Sequence, residues 1–140
     1  METTLTPAAR RLALAMTALV ATDALGGVLA VTNDVNTWGS AWSADALLAA
    51  PLPMIAAQVL CTVLAVRSGR RWAAVPAHLL ALACFVSVIS GFFDGGLAND
   101  ALSGPLVAFQ AVLLAVTGVV GAAAVLRGRE LQRSRIAATA

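Results

Sequence analysis

The chain has 140 residues, 60% of them apolar and 11% charged, with a formal net charge of +2. A soluble domain carries about 25% charged residues, so this composition excludes a soluble enzyme, a nucleic-acid-binding module, a disulfide scaffold and a disordered tail. All nine basic residues are Arg and there is no Tyr. With the Ala, Val and Leu that fill the apolar stretches, this usage points to a GC-rich bacterial genome and to the bacterial cytoplasmic membrane.

Apolar runs long enough to cross a bilayer as helices, about 20 residues each, occur at roughly 12–32, 46–66, 72–93 and 106–126. Backbone groups must be satisfied internally in lipid, and no barrel-like alternation is present. The expected fold is therefore all-α, an up-and-down bundle of four transmembrane helices forming a single domain over residues 1–140.

The first span, preceded by Arg10 and Arg11, resembles a signal peptide, but its apolar run of about twenty residues exceeds the seven to fifteen of such a segment. Arg67, Arg70 and Arg71 follow the second span, and Arg127, Arg129, Arg133 and Arg135 follow the fourth. Both termini are accordingly expected in the cytoplasm. Nine Arg and two Glu, Glu2 and Glu130, then lie on that side, while Asp34, Asp45, Asp94 and Asp100 lie outside with no basic residue. The basic balance reflects this topology and contact with anionic membrane lipid rather than nucleic acid.

Local punctuation sets the expected ends of the helices. Ser43 or Asp45 can cap the second helix, Gly95 and Gly96 can end the third, and Ser103, Gly104 and Pro105 can open the fourth. Trp72 and the pair Phe92 and Phe93 fall where interfacial aromatics are expected. Pro51 and Pro53, if inside the second helix, would free the carbonyls of Leu47 and Ala49.

Within the spans each helix carries one conspicuous polar residue: Asp23, Gln58, His78 and Gln110. At 1.5 Å of rise per residue they lie about 18, 12, 10 and 24 Å from the cytoplasmic edge, a staircase rather than a ring. An ionised carboxylate at such depth costs at least about 2.5–3.5 kcal/mol, so Asp23 must be neutral, paired or wetted. The candidate ligand-binding residues are Asp23, Gln58, His78 and Gln110. Asp94 joins them because a negative charge at a helix C-terminus is disfavoured unless it binds something.

On helical wheels Gln110 shares a stripe with Thr117, Gly121 and Ala124. Gln58 does so with Pro51, Thr62 and Ala65, and Asp23 with Met16, Gly27 and Ala30. In the third helix His78 falls with Leu82, Phe85 and Ile89, opposite a small-residue stripe of Ala73, Cys84, Ser87 and Gly91. A bundle buries only one of these two faces. With a second small-residue stripe of Ala18, Thr22, Gly26 and Ala30 in the first helix, this pattern predicts a homo-oligomer.

Cys61 and Cys84, at depths of about 8 and 20 Å, are too far apart for a disulfide or dithiol exchange. One His and no carboxylate cluster speak against zinc, di-iron or haem, so no cofactor is expected. Three functions remain. The first is binding or translocation of a proton, a cation or a small molecule through the acidic mouth. The second is a scaffold in which polar residues fasten helices. The third is an acid/base enzyme of isomerase or cyclase type, with Asp23 and His78 as catalytic residues on a lipid-like substrate.

Overall fold

A computed structural model describes residues 5–93, 97, 99–100 and 102–133. It is all-helical, with α1 Pro7–Thr32, α2 Leu52–Arg67, α3 Ala74–Phe93, preceded by a 3₁₀ turn over Arg71–Ala73, and α4 Gly104–Arg133. Each helix packs against its chain neighbours and α1 closes against α4, giving a four-membered up-and-down ring. α1, α3 with its 3₁₀ turn, and α4 are long and apolar enough to cross a membrane, whereas α2 has 16 residues.

The helix ends follow from local chemistry. Thr6 caps α1 by accepting the Ala9 N–H, with Pro7 at the first helical position. α4 opens where the N–H groups of Leu106 and Val107 donate to the Ser103 carbonyl, next to Gly104 and Pro105. α4 runs seven residues beyond the expected boundary, to Arg133. Gly95 and Gly96, like Asp94, Glu2 and Arg135, lie outside the described residues.

The second span departs from expectation. Helix is expected from about residue 46, but α2 begins at Leu52, with Pro51 as its N-cap and Pro53 in its first turn. Neither Ser43 nor Asp45 caps it, and neither proline interrupts a helix or frees the carbonyls of Leu47 and Ala49 in one. A proline lacks a donor and restricts the residue before it, so successive prolines favour a helix start over a helix interior. Residues 41–51 instead form an irregular segment that folds back against α1. Its Ala41, Leu48 and Ala49 are buried.

Two apolar clusters make the core. The larger, toward the Arg-rich end, includes Leu12, Met16, Leu80, Cys84, Val120 and Ala124. The smaller, toward the Asp-rich end, joins Ala30, Leu48, Leu102 and Leu106. The outward faces are also apolar: Leu14, Leu60, Leu82, Phe85, Ile89 and Val119 are all exposed.

Candidate functional site

The site begins with the return of residues 41–51 to α1. Gly26 and Gly27 leave α1 without side chains at this point, so the Leu48 carbonyl lies against Gly26 and the Trp42 ring against Gly27. A β-carbon at either position would collide with its neighbour. The Trp42 indole N–H donates to the Asp23 carbonyl at 3.4 Å, and the Trp42 ring is stacked on Trp38 at 6.3 Å. Asn36 fastens the outer part, donating to the Asp45 carbonyl at 3.1 Å and accepting the Leu47 N–H at 3.2 Å.

This brings the end of the segment to Asp23, whose Oδ1 accepts the Ala50 N–H at 2.9 Å. The free donors at the start of α2 are consumed locally. Leu52 N–H donates to the Trp42 carbonyl, and Met54 and Ile55 N–H donate to the Pro51 carbonyl.

Asp23, Gln58 and Gln110 line one cavity of about 360 Å³, together with Ser87, Ser90 and Thr117. Leu19, Met54, Val86 and Leu113 supply its apolar wall. Asp23 is 2%, Gln58 6% and Gln110 8% exposed. Met54 and Val86 are the exposed members of the lining, which puts the mouth of the cavity between α2 and α3.

Among the described residues, Asp23 Oδ2 and Gln110 Oε1 are the buried side-chain oxygen atoms without a hydrogen-bond partner. Buried polar atoms are nearly always paired, so two orphans on one cavity call for an explanation. No Arg among the described residues lines the cavity. The Thr117 hydroxyl is committed to the Leu113 carbonyl at 2.8 Å.

The staircase inferred from helix rise therefore becomes a shared site for Asp23, Gln58 and Gln110, because the late start of α2 opens space beside Asp23. The stripes carrying these three residues face inward: Met16, Thr62, Ala65, Thr117, Gly121 and Ala124 are all buried.

His78 is not part of this site. It is exposed on the outer face of α3, near the Arg-rich end, and lines a separate groove of about 670 Å³ with Arg71, Trp72 and Gln132. Its ring lies over Gly128 of α4, and its Nδ1 donates to the Ala74 carbonyl at 2.6 Å. The alternative face of α3 turns inward: Ala73 and Cys84 are buried, Ser87 lines the cavity, and Gly91 meets Leu114. In α1, Gly26 and Ala30 are likewise covered from within the chain. The buried members of these stripes thus serve intrachain packing, whereas Ala18 of α1 and His78 of α3 are exposed. Asp94 lies outside the described residues.

Two features escape the sequence. Ser87 and Ser90, three residues apart in a very apolar helix, share a face; that spacing was a usable signal. Arg127, which the sequence places only among the arginines that set the topology, is 4% exposed. Its guanidinium donates to the carbonyls of Ala65 and Ser68, to the Thr6 hydroxyl and to Glu130. It joins the ends of α1, α2 and α4.

Compared with protein-family models, with curated proteins and with solved structures, the chain matches none.

Proposed function

We propose that this chain is a multi-pass membrane protein that binds, and by extension passes, a proton, a cation or a small molecule at the Asp23, Gln58 and Gln110 cavity. The observation that carries this is the pair of unpartnered buried acceptors, Asp23 Oδ2 and Gln110 Oε1, on one cavity wall. A packing role alone uses Asp23 Oδ1 to hold Ala50 and leaves the other two oxygens unexplained. The volume falls at the small end of ligand sites, which span roughly 300–1,000 Å³.

Membrane insertion is supported by the inverted surface, where large apolar side chains face outward along every helix. α2 alone reaches about 24 Å at 1.5 Å per residue, short of the roughly 30 Å hydrocarbon layer. The irregular segment before it makes up the remaining depth. Non-helical backbone at such depth is tolerated only where protein buries it or where it lines a cavity, and residues 49–51 do the latter. The Arg-rich end faces the cytoplasm in this proposal.

An acid/base enzyme using Asp23 with His78 has no support in the geometry, since the two side chains line different pockets at different levels. Asp23→Asn tests the binding function cleanly, because the amide oxygen can still accept from Ala50. A ligand library should raise the melting temperature of the wild-type protein through at least one member and leave that of Asp23→Asn unmoved. Equal shifts in both proteins, or none in either, would count against a site at Asp23.

A further inference from the structure

We propose that the ligand is a small organic primary ammonium, an alkyl chain of a few carbons ending in a protonated amine. This rests on the cavity being a ligand site. What it adds is the chemical class, which follows from the donors and acceptors that remain free.

Asp23 Oδ2 and Gln110 Oε1 both lack a donor, and a ligand that satisfies them must bring at least two N–H or O–H groups. Among the described residues, Asp23 is the one ionisable residue of the lining, and no Arg or His lines it. An anion would face the Asp23 carboxylate with only the neutral side-chain donors of Gln58, Gln110, Ser87 and Ser90 to hold it. The N-terminus of α2 touches the cavity but has no N–H to offer, because Pro51 and Pro53 have none and those of Leu52, Met54 and Ile55 are already bonded. The Ala50 N–H is held by Asp23 itself.

A bare inorganic cation fits less well than an organic one. About 360 Å³ far exceeds the space of an ion, and Leu19, Met54, Val86 and Leu113 form an apolar wall that an ion leaves unused. An alkylammonium uses both parts. It brings three N–H groups for the two orphan acceptors and a serine hydroxyl, and an alkyl chain for the apolar wall that ends at Met54 and Val86. Charge-assisted hydrogen bonds to a buried carboxylate discriminate strongly against the neutral isostere.

The test is isothermal titration of the purified full chain in detergent with n-butylammonium, n-butanol, butyrate and sodium chloride. Butylammonium should bind at least tenfold more tightly than butanol, with butyrate and sodium showing no competition. Asp23→Asn, which turns the Oδ2 position into a donor, should erase that preference. Gln110→Glu, a second variant of nearly the same shape, should increase it. Butanol binding as tightly as butylammonium, or sodium displacing it at equal concentration, overturns the ammonium assignment while leaving the cavity a ligand site. Binding of none of the four overturns the ammonium assignment, while a library compound that still stabilises the wild-type protein but not Asp23→Asn keeps the cavity a ligand site.

Discussion

At the scale of single residues, the fold depends on places where a side chain is absent or fully committed. Gly26 and Gly27 are the clearest: neither has a positive φ, and their role is close approach, to the Leu48 backbone and the Trp42 ring. Gly26→Ala should cost about 1–3 kcal/mol or more, since backbone cannot move aside as a side-chain tip can. Gly118→Ala is the control. A β-carbon there meets only Val88 at 4.0 Å, so it should be neutral or stabilise by up to about 1 kcal/mol through helix propensity. Thermal or denaturant unfolding of the two variants side by side checks both. Arg127→Ala should destabilise the Arg-rich end by about 1–3 kcal/mol, because it removes the buried donor to the Ala65 and Ser68 carbonyls. Arg127→Lys should recover little, as one ammonium cannot reach four acceptors on three elements. The sequence showed Asp23, Gln58 and Gln110 because polar residues stand out among apolar ones. Arg127 was hidden among nine arginines whose distribution already had an explanation in topology.

At the scale of elements, α2 carries the lesson. Hydropathy registers residues 46–66 as one span because Ala, Leu and Pro are apolar whatever backbone they adopt, and only Pro51 and Pro53 mark the break. A proline pair reads as a kink or as a helix start, and what decides between them is tertiary: Asp23 supplies an acceptor for Ala50 and Trp42 one for Leu52. The face of α3 was ambiguous for a related reason. A helix apolar all round gives no inward direction from its own pattern, and the Ser87 and Gly91 side turns in because α4 packs there. Asp23→Leu removes the acceptor and should speed amide hydrogen exchange across residues 46–50 by tenfold or more. Asp23→Asn should leave those rates within about threefold, since each 1.4 kcal/mol is a factor of ten in such an equilibrium. Equal acceleration in both variants would mean that the charge, rather than the Ala50 hydrogen bond, holds the segment.

At the scale of the whole molecule, the polarity is inverted. The outside is apolar along the helices, the charged side chains among the described residues other than Asp23 lie toward the two ends, and the most demanding polar atoms are inside. The all-helical ring and its inward stripes were legible from periodicity, because three of the four helices bury the faces that their polar and small residues marked. The cavity was not legible, since it exists only where α2 starts late and the segment before it leaves room. Orientation is testable with single cysteines on a background lacking Cys61 and Cys84. Gly69→Cys, in the open Arg-rich loop, should be labelled by an impermeant thiol reagent only after the membrane is opened. Gly39→Cys, beside Thr37, should be labelled in intact cells. The reverse pattern would invert the topology.

The most direct test of a ligand site at Asp23 is native mass spectrometry of the protein released from its own membranes in mild detergent. The wild-type chain should carry a small adduct bearing hydrogen-bond donors, and Asp23→Asn, melting within a few degrees of wild type, should lack it. A bare chain in both proteins, or the same adduct on both, would contradict a ligand held by the Asp23 and Gln110 acceptors.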